Sequence, residues 1–218
     1  MDREQAWQAI EQERRRLADL LADLADDEWD TPSLSAGWRV RDVAAHVALA
    51  PQPPGPWEMV AWAVRARGSF HRLNHDISVA HAESRTGAEL VAELRAHAAS
   101  RRLPALTGYR NILFDTLVHV QDVAIPLHRV LPMPVAAARA GATRVWTMGW
   151  PFWARRRLAG FRLVATDTLW AVGDGEQVVC GPIEALLLLL TGRPVALDRL
   201  TGAGVDALTE RVAGRSRA

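Results

Sequence analysis

Lysine is absent from the 218 residues, and all 26 basic side chains are arginine. Schiff-base chemistry and catalysis by a lysine base are therefore excluded. Cysteine is nearly absent too. The single Cys180 forbids an internal disulfide and fits a reducing compartment. There is no excess of charge of either sign: 26 basic against 25 acidic side chains leave a formal net charge of +1. No global field thus draws the chain to nucleic acid or to an anionic membrane. Long hydrophobic runs are missing as well. The most apolar, Ala185 to Leu190, falls far short of the roughly 20 residues a membrane span needs, and reads as part of a buried helix. The opening MDREQAWQAIEQERRR is charged throughout, with no apolar segment of the signal-peptide kind, so a cytoplasmic location is expected.

What is present suits an ordinary globular protein: 49% hydrophobic and 23% charged residues. The length allows one large domain or two small ones. Residues 3–27 read as one long helix, with Leu17, Leu20, Leu21 and Leu24 at helical spacing. A loop from Asp30 to Trp38 precedes a helix from Val40 to Ala50, and the PQPPGP stretch at 51–56 is a rigid connector. Helical patterning returns from Trp57 to Phe70. Asn74 to Arg85 is polar and reads as loop or broken helix. Further helices fit Gly87 to Ser100, Tyr109 to His128 and Ala136 to Met148. From Phe161 the texture changes. FRLVATDTLWAV, then Gly173-Asp-Gly-Glu, then QVVC, reads as strand, hairpin turn and strand. A leucine-rich helix closed by Gly192 and a short helix from Gly204 to Val212 follow. The expected class is α+β: a helical part over residues 1–150 and a small α/β part over 151–218.

Seven histidines occur, at 46, 71, 75, 81, 97, 119 and 128. The informative stretch is Asp115-Thr-Leu-Val-His119-Val-Gln-Asp122. At about 100° per residue, positions 115, 119 and 122 fall within roughly 60° on one helix face. The helix is otherwise apolar, and a polar stripe on a buried helix is costly unless its groups are paired or bound to something. His46 sits in a second apolar helix, interrupted only by Arg41 and Asp42. Facing helices that bring His46, Asp115 and His119 together would offer two imidazoles and a carboxylate to a divalent metal such as zinc, leaving a fourth position open. A buried His–Asp hydrogen bond across helices would satisfy the same groups. The tryptophans at 38, 57, 62, 146, 150, 153 and 170 read as core or pocket lining. His71, His75, His81 and His97 read as solvent-exposed, and Arg155-Arg-Arg157 as a solvated linker. Cys180, on a strand, is a poor nucleophile candidate. A phosphate loop at Gly173 and Gly175 lacks the strand–loop–helix context it requires.

Three separated segments, in order, resemble the mycothiol-dependent maleylpyruvate isomerase family of the wider DinB-like superfamily. They are Pro32-Ser-Leu-Ser-Ala-Gly-Trp-Arg-Val-Arg-Asp-Val-Ala-Ala-His46; Asp115 to Asp122; and Ala165 to Gly173 with Cys180 to Arg193. The resemblance spans about residue 7 to 211. It implies a DinB-like four-helix bundle that carries a metal, usually zinc, with ligation by His46, Asp115 and His119 and orientation of His119 by Asp122. Aspartate stands at 115 where the characterised isomerases carry glutamate; one methylene shorter, it would shift the geometry or admit a water. Arg193 matches the arginine that closes the family's leucine-rich tail helix, and a carboxylate on the substrate would suit it; a surface arginine at a helix end is the structural alternative. The implied activity is metal-dependent isomerisation through a mycothiol-like thiol. The thiolate adds to an activated cis double bond, the new single bond rotates, and elimination follows. Alternatives are a thiol S-transferase acting in detoxification and a non-catalytic metal- or ligand-binding module. The implied partners are a small electrophilic substrate and a small thiol, with no nucleic acid or membrane, in a monomer or homodimer.

Overall fold

The computed structural model describes residues 1–52, 55–104 and 107–215. These divide into two compact units, Asp2–Leu131 and Pro132 onward. The division falls earlier than the expected residue 150, because the helix from Val135 to Thr147 packs against the leucine-rich helix of the tail.

In the first unit, α1 (Arg3–Ala22) opens with a reciprocal capping box: Asp2 accepts from the Gln5 backbone N–H at 2.8 Å, and the Gln5 side chain accepts from the Asp2 N–H at 3.0 Å. It stops five residues before the expected end, and a 3₁₀ turn at Asp26–Asp30 follows. α2 (Val40–Leu49), α3 (Pro56–Arg65), α4 (Phe70–Glu83), α5 (Gly87–His97) and α6 (Tyr109–Ala124) complete the unit. α1 packs on α5 and α6, and α2 on α4, α5 and α6. Their apolar faces meet in a core of Leu17, Leu21, Val43, Val47, Leu90, Leu94, Val120 and Val123. The alanines at 44, 45 and 48 in α2 are fully buried, which lets neighbouring helices approach closely. Pro53 and Pro54 of the expected connector lie outside the described residues.

α4 corrects the expectation of a loop over 74–85. Ser69 caps it by accepting from the Arg72 N–H, Phe70, Leu73, Ile77 and Ala80 recur at helical spacing among the polar residues, and the buried side carries Ser78 and Ala82.

The second unit holds α7 (Val135–Thr147), the single-turn α8 (Ala154–Arg157), β1 (Phe161–Ala165), β2 (Ala171–Val172), β3 (Gln177–Gly181), α9 (Ile183–Leu190) and α10 (Val205–Arg215). The buried small residues of α7 (Ala137, Ala138, Gly141 and Ala142) belong to a helix packed on the leucines of α9, so small faces large. The sheet order is β2-β1-β3. β1 and β2 are antiparallel, whereas β1 and β3 are parallel from Phe161↔Gln177 to Ala165↔Gly181. The expected hairpin at 173–176 is therefore corrected. The chain turns back earlier, between Ala165 and Ala171, and residues 173–176 carry it across to the far edge. The glycines there serve close approach instead of a tight turn: a Cβ on Gly173 would lie 2.2 Å from the Phe161 carbonyl oxygen, and one on Gly175 would lie 2.0 Å from Gly160.

Three further expectations are corrected. Arg157 is not a solvated linker residue; its guanidinium donates to the Leu189 and Leu190 carbonyls, each at 3.0 Å, at the end of α9. Trp57, Trp150 and Trp153 are exposed, while Trp7 and Trp29 are buried. His97 is half-buried. No described helix is long and apolar enough to cross a membrane.

Candidate metal centre

Between Ile112 and Ala124 of α6 every residue except Asp115 is buried. Asp115 therefore marks the place where this central helix opens to solvent. His119, one turn on, is 9% exposed and Asp122 is fully buried. From α2, His46 reaches the same point. Its Nε2 lies 3.4 Å from Asp115 Oδ2, and His119 Nε2 lies 3.4 Å from Asp115 Oδ1. One ligand atom from each of His46, Asp115 and His119 can be chosen so that all lie within 4.8 Å of one another.

Each imidazole is fixed from behind. His119 Nδ1–H donates to Asp122 Oδ2 at 2.8 Å. His46 Nδ1 faces Ser78 Oγ of α4 at 3.3 Å. With both Nδ1 atoms engaged, both Nε2 atoms turn to Asp115. Each imidazole faces its own oxygen of the Asp115 carboxylate, and two imidazoles with a carboxylate so gathered are a donor set that suits a divalent ion such as zinc. The same 3.4 Å exceeds the usual range for a good N–H···O hydrogen bond. The shorter aspartate thus reaches both imidazoles, one through each oxygen.

Electrostatics follow from this crowding. Burial alone would favour neutral Asp115, but the charge on His119 and contacts with both imidazoles hold its carboxyl well below the usual range. Burial likewise opposes charge on His119, yet Asp115 and Asp122 outweigh it and push the imidazole up to about 9. Metal-free, the centre is an imidazolium between two carboxylates.

The sequence identifies Trp38 only as core or pocket lining and does not place three further neighbours, His75, Ser78 and Arg14, at this site. Trp38 lies nearly parallel to His119, with ring centroids 6.2 Å apart, and edge-on to His46 at 5.3 Å and to His75 at 6.0 Å. Ser78 and His75 both belong to α4; read as a loop, that segment gave no reason to place them on one face. Arg14 of α1 is 1% exposed and donates from Nη1 to the carbonyls of His97, Ala98 and Ser100, capping the end of α5. Burial lowers its pKa to about 10, and the charge of Asp115 opposes that fall.

The other histidines separate. His81, expected in solvent, is tied to Glu93 Oε2 at 2.7 Å. His71 and His128 are exposed. Arg193 lies in the second unit just past α9, with Nη1 donating to the Thr191 carbonyl at 2.7 Å. Cys180 is half-buried in β3.

No curated protein matches the chain. Two solved structures do: a crystal structure of the mycothiol-dependent maleylpyruvate isomerase, and one of a histidine-to-alanine mutant of that isomerase. The first is 17% identical and the second 16%, each covering 93% of both chains at a TM-score of 0.62. At that identity they establish a common fold. The family model described as the mycothiol maleylpyruvate isomerase N-terminal domain matches residues 10–108, a span that includes His46, Trp38 and Ser78. Over that span the chain is similar to the N-terminal domain of mycothiol maleylpyruvate isomerases.

Proposed function

We propose that the chain is a metal-dependent enzyme of the maleylpyruvate isomerase type, using a mycothiol-like thiol and a zinc ion held by His46, Asp115 and His119. The observation that carries this reading is the convergence of two Nε2 atoms and one carboxylate, each imidazole being fixed through its other nitrogen. When bound, the ion would supply Lewis acidity that favours the thiolate form of an incoming thiol.

The chain's own residues do the rest. Asp122 and Ser78 hold the two imidazoles so that Nε2 presents a lone pair, which spares the rotational freedom each ring would otherwise lose on binding. Asp115 contributes a negative charge, and its 34% exposed side chain marks the side from which small molecules enter. Trp38, half-buried against both imidazoles, covers the cluster and limits water. Arg193 is assigned a substrate carboxylate within this reading.

Elemental analysis of protein purified without added metal, followed by assay with maleylpyruvate and thiol, tests the proposal. One equivalent of zinc, thiol-dependent turnover and recovery of free thiol are expected. Consumption of one thiol per turnover would instead identify an S-transferase. Tight metal binding with no thiol-dependent turnover would leave only a binding module.

A further inference from the structure

The roles above leave one titratable pair at the site without a task. α4 presents His75 and Ser78 three residues apart, and that spacing puts both on one helix face. Ser78 is buried and touches His46 Nδ1, while His75 lies edge-on to Trp38, the indole that also meets His46 and His119. His75 is therefore linked to the cluster through Trp38 and yet open to solvent, its side chain being 40% exposed. Its Nδ1 stands 3.1 Å from Asp76 Oδ1. With Nδ1–H donating to that oxygen, the lone pair is left on Nε2. No other histidine of α4 offers the same combination. His81 spends Nε2 on Glu93, and His71 is exposed beside Phe70.

We propose that His75, oriented by Asp76, is the acid–base residue at the mouth of the metal centre, its Nε2 taking the proton of an incoming thiol and returning one when the thiol leaves. The inference rests on the thiol chemistry proposed above. In the forward step the S–H bond breaks, its electron pair stays on sulfur, the proton forms an N–H bond at Nε2 and passes to water. Departure of the thiol reverses each change, so no further reactant is required. The cluster imidazoles cannot do this work, because their Nδ1 atoms are engaged and their Nε2 atoms point at Asp115.

The test uses the full chain loaded with cobalt(II) and N-acetylcysteine as the thiol. Stopped-flow absorbance follows the sulfur-to-cobalt charge-transfer band. His75→Gln is expected to slow the appearance of the band by about 100-fold, the lower range for loss of a general base. Its final amplitude and cobalt content should match the parent. Raising the concentration of a non-coordinating tertiary-amine buffer should restore the rate in this variant and leave the parent unchanged. Asp76→Asn should slow the band by about tenfold, and His71→Gln should not slow it. A His75→Gln rate within about twofold of the parent, or one that ignores buffer concentration, overturns the assignment alone. Loss of cobalt from His75→Gln makes His75 structural and also overturns it. A parent protein that forms no band overturns the thiol reading and this assignment together.

Discussion

The metal-free protein should become less stable as pH rises above neutrality, and His119 should be the cause. Its imidazole titrates near about 6.5 when unfolded and is pushed up to about 9 in the folded chain. A group whose pKa is raised by folding stabilises the native state fully below the unfolded value, and that contribution is lost as pH climbs through the folded value. The window is thus about pH 6.5 to 9. At about 1.4 kcal/mol per unit, the contribution is on the order of 3 kcal/mol. The side chain is only 11% exposed, so solvent screening removes little of it. The lowered Asp115 carboxyl is the other side of the same attraction and adds nothing separate. For a chain of this length, a loss of about 3 kcal/mol corresponds to a fall of roughly 6–12 °C in melting temperature. Thermal denaturation in the presence of a chelator, in steps from about pH 6 to pH 9.5, measures it against His119→Gln, which should show a flatter profile. With metal present the slope should reverse, since the ion must displace the His119 proton and binds more tightly as pH rises. Apoprotein stability that stays level or increases from pH 6.5 to 9, or an equal fall in His119→Gln, would refute the reasoning.

Other outcomes follow from the same geometry. Asp115→Ala should remove stoichiometric metal, while Asp122→Ala should weaken binding by about 10–100-fold, as measured by competition with a chromophoric chelator; the reverse order would make Asp122 the ligand. Ser78→Ala should lower metal affinity by about tenfold through the loosened His46 ring, and an unchanged affinity would end the role given to Ser78. Arg14→Met leaves the carbonyls at the end of α5 without their shared donor and should cost about 1–3 kcal/mol in denaturant titration; equal or greater stability would show that Nη1 contributes no net cap. Arg193→Gln should raise KM for a carboxylate-bearing substrate by about tenfold with kcat little changed, and steady-state kinetics with an unaltered KM would remove it from the substrate site.

Much of the frame was legible because the strongest signals are local. The leucines of α1, the alternation of polar and apolar residues in α5 and the stripe of Asp115, His119 and Asp122 on α6 each depend on spacing within one element. His46 was recognisable as a candidate because it interrupts an apolar helix. The failures share a physical cause. In α4, polar residues hid an apolar period that is shorter and weaker than that of α1, so Ser78 and His75 lost their common face. In the tail, a strand-rich stretch with two glycines suited a hairpin, but strand pairing is set by partners distant in sequence: β3 found its place parallel to β1. The role of Trp38 was equally hidden, because one indole meeting three imidazoles from α2, α4 and α6 is a fact of packing alone. Arg14 looked like one of many arginines in a charged helix; only the approach of α5 makes it a buried cap.

The cluster joins position 46 to positions 115 and 119, with α3, α4 and α5 lying in the interval. It is therefore a clasp at the base of a long chain loop. Closing such a loop carries an entropic cost that local helix formation does not meet. A nascent chain that has made α2 but not yet α6 possesses none of this chemistry, however well its early helices have formed. The third ligand arrives late, when the two ends of the loop meet; until then α6 alone presents only the pair Asp115 and His119, one turn apart.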